Sequence, residues 1–396
     1  MKEPGVIIVG GGLAAQRAVE TLRRRGYAAP VRIVCAEPEP PYDRPPLSKQ
    51  VLAGTAPEDS VGFRPLGWYE ENEVELLLGT RAEAVDVAGR SLTVDSGEAL
   101  RYDKLLIATG GTARALPFLD HANVHALRTL ADARRLRAAL VPGARLAIVG
   151  AGFIGQEVAA TARRLGLEVT IVEALATPLG PILGERLGGW LADLHREEGV
   201  RMITGAALEG AGAGGSGRVE ELLLADGRRL GCDLVLVGIG TVPATAWLAG
   251  SGLDPAGVRV DTCGRTGTPD VFAAGDACIP FDPRYGVHSR TEHWDAAAWQ
   301  GAAAAKAMLG EYPGTPPLPS FWSDQYGVRI QCVGHPRHAD EVSFDGDPAE
   351  RDFEALFSRG GIPVAGLAVG RPRAIPALRK QIEGGDRFAA EKEVVA

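Results

Sequence analysis

The stretches "VIIVGGGLAAQ" from residue 6 and "LAIVGAGFIGQE" from residue 146 are near copies of each other, and each opens a longer unit of the same kind. A run of branched apolar residues ends in glycines and gives way to apolar residues at helical spacing, then to a second β-rich run. The helical positions are Ala15, Ala18, Val19 and Leu22 in the first unit, and Ile154, Val158 and Leu165 in the second. Both units close on an acid, Glu37 after "VRIVCA" and Glu173 after "EVTIV". Two βαβ units about 140 residues apart predict two domains of similar architecture, not a short-period solenoid. A chain of 396 residues, 45% apolar and 23% charged, is long enough to give each its own core.

Gly10, Gly12 and Ala15 fit the pattern G-x-G-x-x-G/A, as do Gly150, Gly152 and Gly155. That spacing lets a backbone turn tightly and approach a pyrophosphate at a helix N-terminus, while a carboxylate at the end of the next strand accepts from ribose hydroxyls. A single such loop could be a glycine turn with no ligand and Glu37 a solvated strand end; two complete units favour two dinucleotide sites. A carboxylate at Glu173 suits a free 2′-hydroxyl, and the following "ALATP" offers no cation for a 2′-phosphate, so NADH is expected over NADPH.

Other classes drop out on composition. A net charge of −8 with no polybasic block argues against nucleic acid and against anionic membranes. The five cysteines are scattered and odd in number with no C-x-x-C, which predicts a reduced cytoplasmic protein and no iron–sulfur centre of its own. No apolar run reaches membrane length, and Glu3 with the glycines breaks a signal-peptide pattern at the start. His121 and His125, and His335 and His338, have ligand-like spacings but no evident third ligand, so no metal is expected.

Between the units, "YDKLLIATGG" and "CDLVLVGIGTVP" read as strands that could carry the chain between the two domains. "EGAGAGGSG" reads as a surface turn, and "GEYPGTPPLPS" as a linker into a third unit beginning near Phe321.

At "PPYDRPPLSK" (40–49), "TPDVFAAGD" (268–276), "RTEHWDAAAWQG" (290–301) and "FWSDQY" (321–326) the chain resembles the FAD-dependent, NADH-using ferredoxin reductases that serve bacterial aromatic-ring dioxygenases and cytochromes P450. The match runs in order over nearly the whole chain and is weakest after about residue 345; Gln16 and Arg17 are unusual after a flavin loop. The resemblance implies an α/β fold of two Rossmann-like domains plus a C-terminal α/β domain that covers the flavin. The FAD domain would comprise residues 1–109 and 236–316, the NAD domain 110–235 and the C-terminal domain 317–396. It further implies that Gly10, Gly12, Ala15, Glu37, Arg44 and Asp276 hold FAD, and that Gly150, Gly152, Gly155 and Glu173 hold NAD. Lys49 and Glu157 would pair beside the flavin and nicotinamide rings, with Trp294 and Trp322 as flavin neighbours.

Without the resemblance, Lys49 could be a solvated loop charge, Glu157 a carboxylate favoured in the first turn of its helix, Asp276 a helix N-cap and either tryptophan plain core. Hydride transfer between stacked rings needs orientation rather than a dedicated acid or base. Disulfide reductases of similar architecture carry redox cysteines beside the flavin, and the loop "YDRPPLSK" carries none. The partner implied is a small acidic [2Fe–2S] ferredoxin in a transient complex, with Arg371, Arg373, Arg379 and Lys380 as its candidate contact and the reductase a monomer or homodimer. Rubredoxin reductase, NADH oxidase or a non-enzymatic NADH-responsive flavin module are the competing readings.

Overall fold

The computed structural model describes residues 4–215 and 217–385. The two glycine-loop units head two five-stranded sheets, all parallel, each with its glycine-loop strand in the centre. In the first, Val6–Val9 lies between Val31–Cys35 and Lys104–Ile107, with Val74–Leu78 and Val271–Ala273 at the edges. In the second, Arg145–Val149 lies between Glu168–Val172 and Leu234–Val237, with Arg201–Ile203 and Val124–His125 outside. Strands covered on both faces by helices or further layers read as unbroken apolar runs, and "VIIV" and "LVLV" are buried at every position. One sheet thus takes strands from both sides of the other in sequence. The two crossing segments also pair with each other, Gly111–Ala113 antiparallel to Thr241–Pro243.

The helix after the first loop, Leu13–Arg24, packs against the alanine-rich helix Trp294–Met308 through small residues. A Cβ added at Gly301 would lie 2.1 Å from the Ala14 carbonyl oxygen, so the backbones touch there. Ala15, Ala18, Val19 and Leu22 are all fully buried, as their spacing predicts. In the second loop helix, Phe153–Arg164, Val158 is buried but Ile154 is 42% exposed, because it sits in the first turn beyond the glycines. Part of "EGAGAGGSG" is strand, Leu208–Ala213, while 311–319 carries no regular structure.

The last unit is an antiparallel sheet in the order Ser320–Gln325, Val328–Gly334, Ile362–Val369, Asp352–Arg359, Glu341–Asp347. Its own helix, Ile375–Gly384, covers one face through Leu378 and Ile382. The other face receives Leu183, Leu187 and Leu191 of the helix Gly180–Glu197, which belongs to the second glycine-loop unit. The hairpin between the first two strands turns at Tyr326 and Gly327, both with positive φ (52° and 78°), the pattern of a two-residue type I′ loop. Tyr326 Oη stands 2.7 Å from Nδ1 of His195, a fully buried residue of that docking helix. Burial pushes the His195 pKa down from 6.5 to about 4. No helix among the described residues is long and apolar enough to cross a membrane.

Two predictions follow from this packing. Gly301→Val should cost about 3 kcal/mol by driving a side chain into backbone, seen as a lowered thermal midpoint; an unchanged midpoint would contradict the contact. Between pH 6.5 and about 4 the unfolded chain protonates His195 while the folded chain does not, so acidification destabilises the fold across that window. The loss should reach about 3 kcal/mol, and unfolding curves of His195→Gln should show a flatter slope there than wild type.

Candidate functional site

Both glycine loops run over the end of a neighbouring strand at a distance no side chain tolerates. Gly10 has φ 118°, and a Cβ there would meet Ala108 O at 2.1 Å; Gly150 has φ 98°, and a Cβ would meet Gly238 O at 2.6 Å. The third positions differ. Ala15 is accommodated and buried, whereas a Cβ at Gly155 would lie 2.4 Å from Gly150 O. The helices start directly after Gly12 and Gly152, with no side-chain cap and no acid in the first turn. Their first N–H groups are therefore offered to an anion, and a Cβ at Gly12 would meet nothing within 4 Å. Donors, space and dipole fit a dinucleotide pyrophosphate at each loop.

The strand-end acids are held differently. Glu37 accepts from Arg44 at 2.7 Å and from the Tyr42 hydroxyl, and Arg44 also donates to the Arg128 carbonyl at 2.6 Å. Glu173 instead accepts from backbone alone, the N–H of Ala151 at 2.7 Å and of Leu175 at 2.9 Å, so it closes on the loop it serves. Asp276 lies in a short 3-10 turn, Gly275–Ala277, beside the first loop; a Cβ on Gly275 would sit 3.4 Å from Ala14 Cβ. Its carboxylate accepts from Arg128 at 2.7 Å and caps no helix. Arg128 has no sequence signal: it precedes a helix in the second unit and reaches the first.

Lys49 and Glu157 are brought together. Lys49 Nζ donates to Glu157 Oε2 at 2.7 Å, joining the "YDRPPLSK" loop to the second loop helix across 108 residues of chain. Glu157 is 4% exposed. It lies just past the first turn, because the helix begins at Phe153, and its partners are side-chain donors rather than the helix terminus. Ser48 donates to the same oxygen at 2.5 Å and Ser323 to Oε1 at 2.7 Å. Lys49 also donates to the Pro45 carbonyl at 3.2 Å. Its third N–H has no protein partner among the described residues.

Trp294 and Trp322 meet edge to face, ring centroids 6.0 Å apart, at the contact of the alanine-rich helix with the C-terminal sheet. Trp294 Nε1 donates to Asp43 at 2.7 Å, and Asp295 accepts from the backbone and hydroxyl of Ser320. Loop, helix and sheet are thus stitched together at one junction. Asp43, Ser48, Ser320 and Ser323 escaped sequence reasoning because a short polar side chain carries no periodicity; only their place inside the quoted motifs marks Asp43, Ser48 and Ser323, and Ser320 ends the stretch read as a linker.

All five cysteines are buried as free thiols, and burial pushes the Cys35 thiol up and that of Cys232 to about 11. Gln16, in the helix after the first loop, accepts from the Tyr69 hydroxyl at 2.6 Å and donates to Glu20 at 3.1 Å. The basic candidate contact is smaller than it reads: Arg371 pairs with Asp345, Asp352 and Glu354, and Arg379 donates to the Leu318 carbonyl. Arg373 and Lys380 remain exposed.

The pyridine nucleotide-disulphide oxidoreductase family model matches residues 4–301, and the reductase C-terminal model matches 320–394, including the stretch where the motif resemblance is weakest. The ferredoxin–NAD(+) reductase component of an anthranilate 1,2-dioxygenase system from Burkholderia cepacia is 41% identical over 96% of this chain and 94% of its own length. That of a biphenyl dioxygenase system from Paraburkholderia xenovorans is 41% identical over 86% of this chain and 84% of its own. Putidaredoxin reductase, solved in covalent complex with putidaredoxin, superposes with a TM-score of 0.93 at 32% identity, covering 97% of this chain and 94% of that one. The ferredoxin reductase for the CYP199A2 system from Rhodopseudomonas palustris gives 0.91 at 32% identity with both chains fully covered. The chain belongs to the pyridine nucleotide-disulphide oxidoreductase family and, within it, to the FAD-dependent ferredoxin reductases.

Proposed function

We propose that this chain takes hydride from NADH and passes single electrons to a small acidic [2Fe–2S] ferredoxin that feeds a ring-hydroxylating dioxygenase or a cytochrome P450. The observation that carries the reading is the buried Lys49–Glu157 pair, which spans from one nucleotide unit to the other where no cysteine stands. Gly10, Gly12, Ala15, Glu37, Arg44 and Asp276 would hold FAD, and Gly150, Gly152, Gly155 and Glu173 the nicotinamide nucleotide. Trp294 and Trp322 would border the flavin. When bound, FAD supplies the step from two-electron to one-electron chemistry.

The work of the protein is then orientation. Lys49, fixed by Glu157 and Pro45, keeps one N–H for a bound ligand. Glu173 offers a carboxylate to a ribose hydroxyl and repels a 2′-phosphate. The division into residues 1–109 with 236–316, 110–235 and 317–396 assigns one task to each unit, resident cofactor, visiting cofactor and cover, with the strand Leu234–Val237 that the 235/236 boundary cuts belonging whole to the second. We place the protein in the cytoplasm, as a monomer or homodimer.

Two tests bear on this reading. In anaerobic single-turnover mixing with NADH, Lys49→Ala should slow flavin bleaching about tenfold or more; an unchanged rate would remove the pair from the mechanism. Steady-state kcat/KM should be higher with NADH than with NADPH, and Glu173→Ser should narrow the gap, whereas a wild-type preference for NADPH would refute the role given to Glu173.

A further inference from the structure

Glu157 is held from three directions. Lys49 and Ser48 of the first unit occupy Oε2, and Ser323 of the C-terminal sheet occupies Oε1. Ser323, itself fully buried, accepts from Gln325 Nε2 at 3.1 Å, which commits its hydroxyl proton to Glu157. Gln325 Nε2 also stands 3.4 Å from Gln156 Oε1, and His195 Nε2 lies 3.3 Å from the same oxygen, with Tyr326 on its far side. Ser48, Gln156, Glu157, His195, Ser323 and Gln325 are all nine-tenths or more buried. The series contains two carboxamides, which donate and accept without readily passing a proton on. It is therefore built as a clamp rather than a proton wire.

Neighbouring residues of a strand point to opposite faces. Trp322 meets Trp294 on one side of the strand Ser320–Gln325, and Ser323 meets Glu157 on the other. A single strand thus fixes both the Trp322 ring and the carboxylate that aims Lys49. With Oε1 unpaired, a buried carboxylate would turn to recover a donor and carry the ammonium with it.

We propose that Ser323 is a positioning residue for hydride transfer, through which the C-terminal sheet sets the orientation of the Lys49–Glu157 pair. The proposal rests on the reading that this pair aligns the two rings.

The test uses FAD-loaded protein, with Ser323→Ala and Ser323→Thr made in the wild-type and Glu157→Gln backgrounds. Anaerobic mixing over a range of NADH separates the limiting rate of flavin reduction from the apparent Kd. The long-wavelength charge-transfer absorbance of the reduced protein with NAD+ reports ring alignment without turnover. Ser323→Ala should lower the limiting rate about tenfold and weaken the charge-transfer band, while Kd changes less than about twofold; Ser323→Thr should restore both. In the Glu157→Gln background the alanine change should add nothing. An unchanged limiting rate, a loss confined to Kd, or an equal loss in the Glu157→Gln background would each overturn the proposal. If Ser323→Ala fails to retain FAD, Ser323→Cys, similar in size and a weaker donor, gives the same comparison. Should Lys49→Ala and Glu157→Gln both reduce at the wild-type rate, the reading of the pair falls; should they be slow while Ser323→Ala is not, only the role of Ser323 falls.

Discussion

A carboxylate that is 4% exposed is held inside this protein by three donors, two from adjacent residues of one loop and one from a distant strand. Removing two charges from water costs several kcal/mol each, and the attraction between them offsets this only when geometry is close and the remaining lone pairs are occupied. The Lys49–Glu157 pair meets that condition, but only if the loop "YDRPPLSK", the second glycine-loop helix and the C-terminal sheet all arrive together. The rest of the fold can be understood as what makes them arrive.

The parts that bring them are apolar. The docking helix Gly180–Glu197 sinks Leu183, Leu187 and Leu191 into the C-terminal sheet, so the second glycine-loop unit and the sheet share one apolar core. Small residues let the first loop helix and the alanine-rich helix touch backbone to backbone, which sets Trp294 against Asp43. Side chains and strands fixed this way provide a preset geometry, and preset geometry is the largest contribution a protein can make to a hydride transfer that needs no acid or base of its own.

The two glycine loops and the acids Glu37 and Glu173 were legible in the sequence because strand, turn, helix and strand follow one another within about thirty residues. Both sheets grow outward from those local units. The edge strand Val271–Ala273 of the first sheet arrives from far along the chain, and local pattern does not place it. The site was legible only in outline. Lys49 and Glu157 stand out through their motifs, whereas Ser48, Ser323 and Arg128 act across separations of 109, 166 and 148 residues. Periodicity also misjudged Ile154, which keeps helical spacing but falls in the first turn at the open end of the loop. Charge clustering overstated "GRPRAIPALRK", where Arg371 and Arg379 are engaged by the protein itself.

One chain here couples a nicotinamide donor to a one-electron acceptor without cysteine chemistry. The most direct measurement is anaerobic stopped-flow reduction of the FAD-loaded protein by NADH, followed by a second mixing with a [2Fe–2S] ferredoxin, oxygen or a disulfide in separate runs. The account predicts rapid bleaching of the flavin band and fast reoxidation by the ferredoxin alone. Reoxidation faster with oxygen or a disulfide than with the ferredoxin, or no bleaching at all, would contradict it.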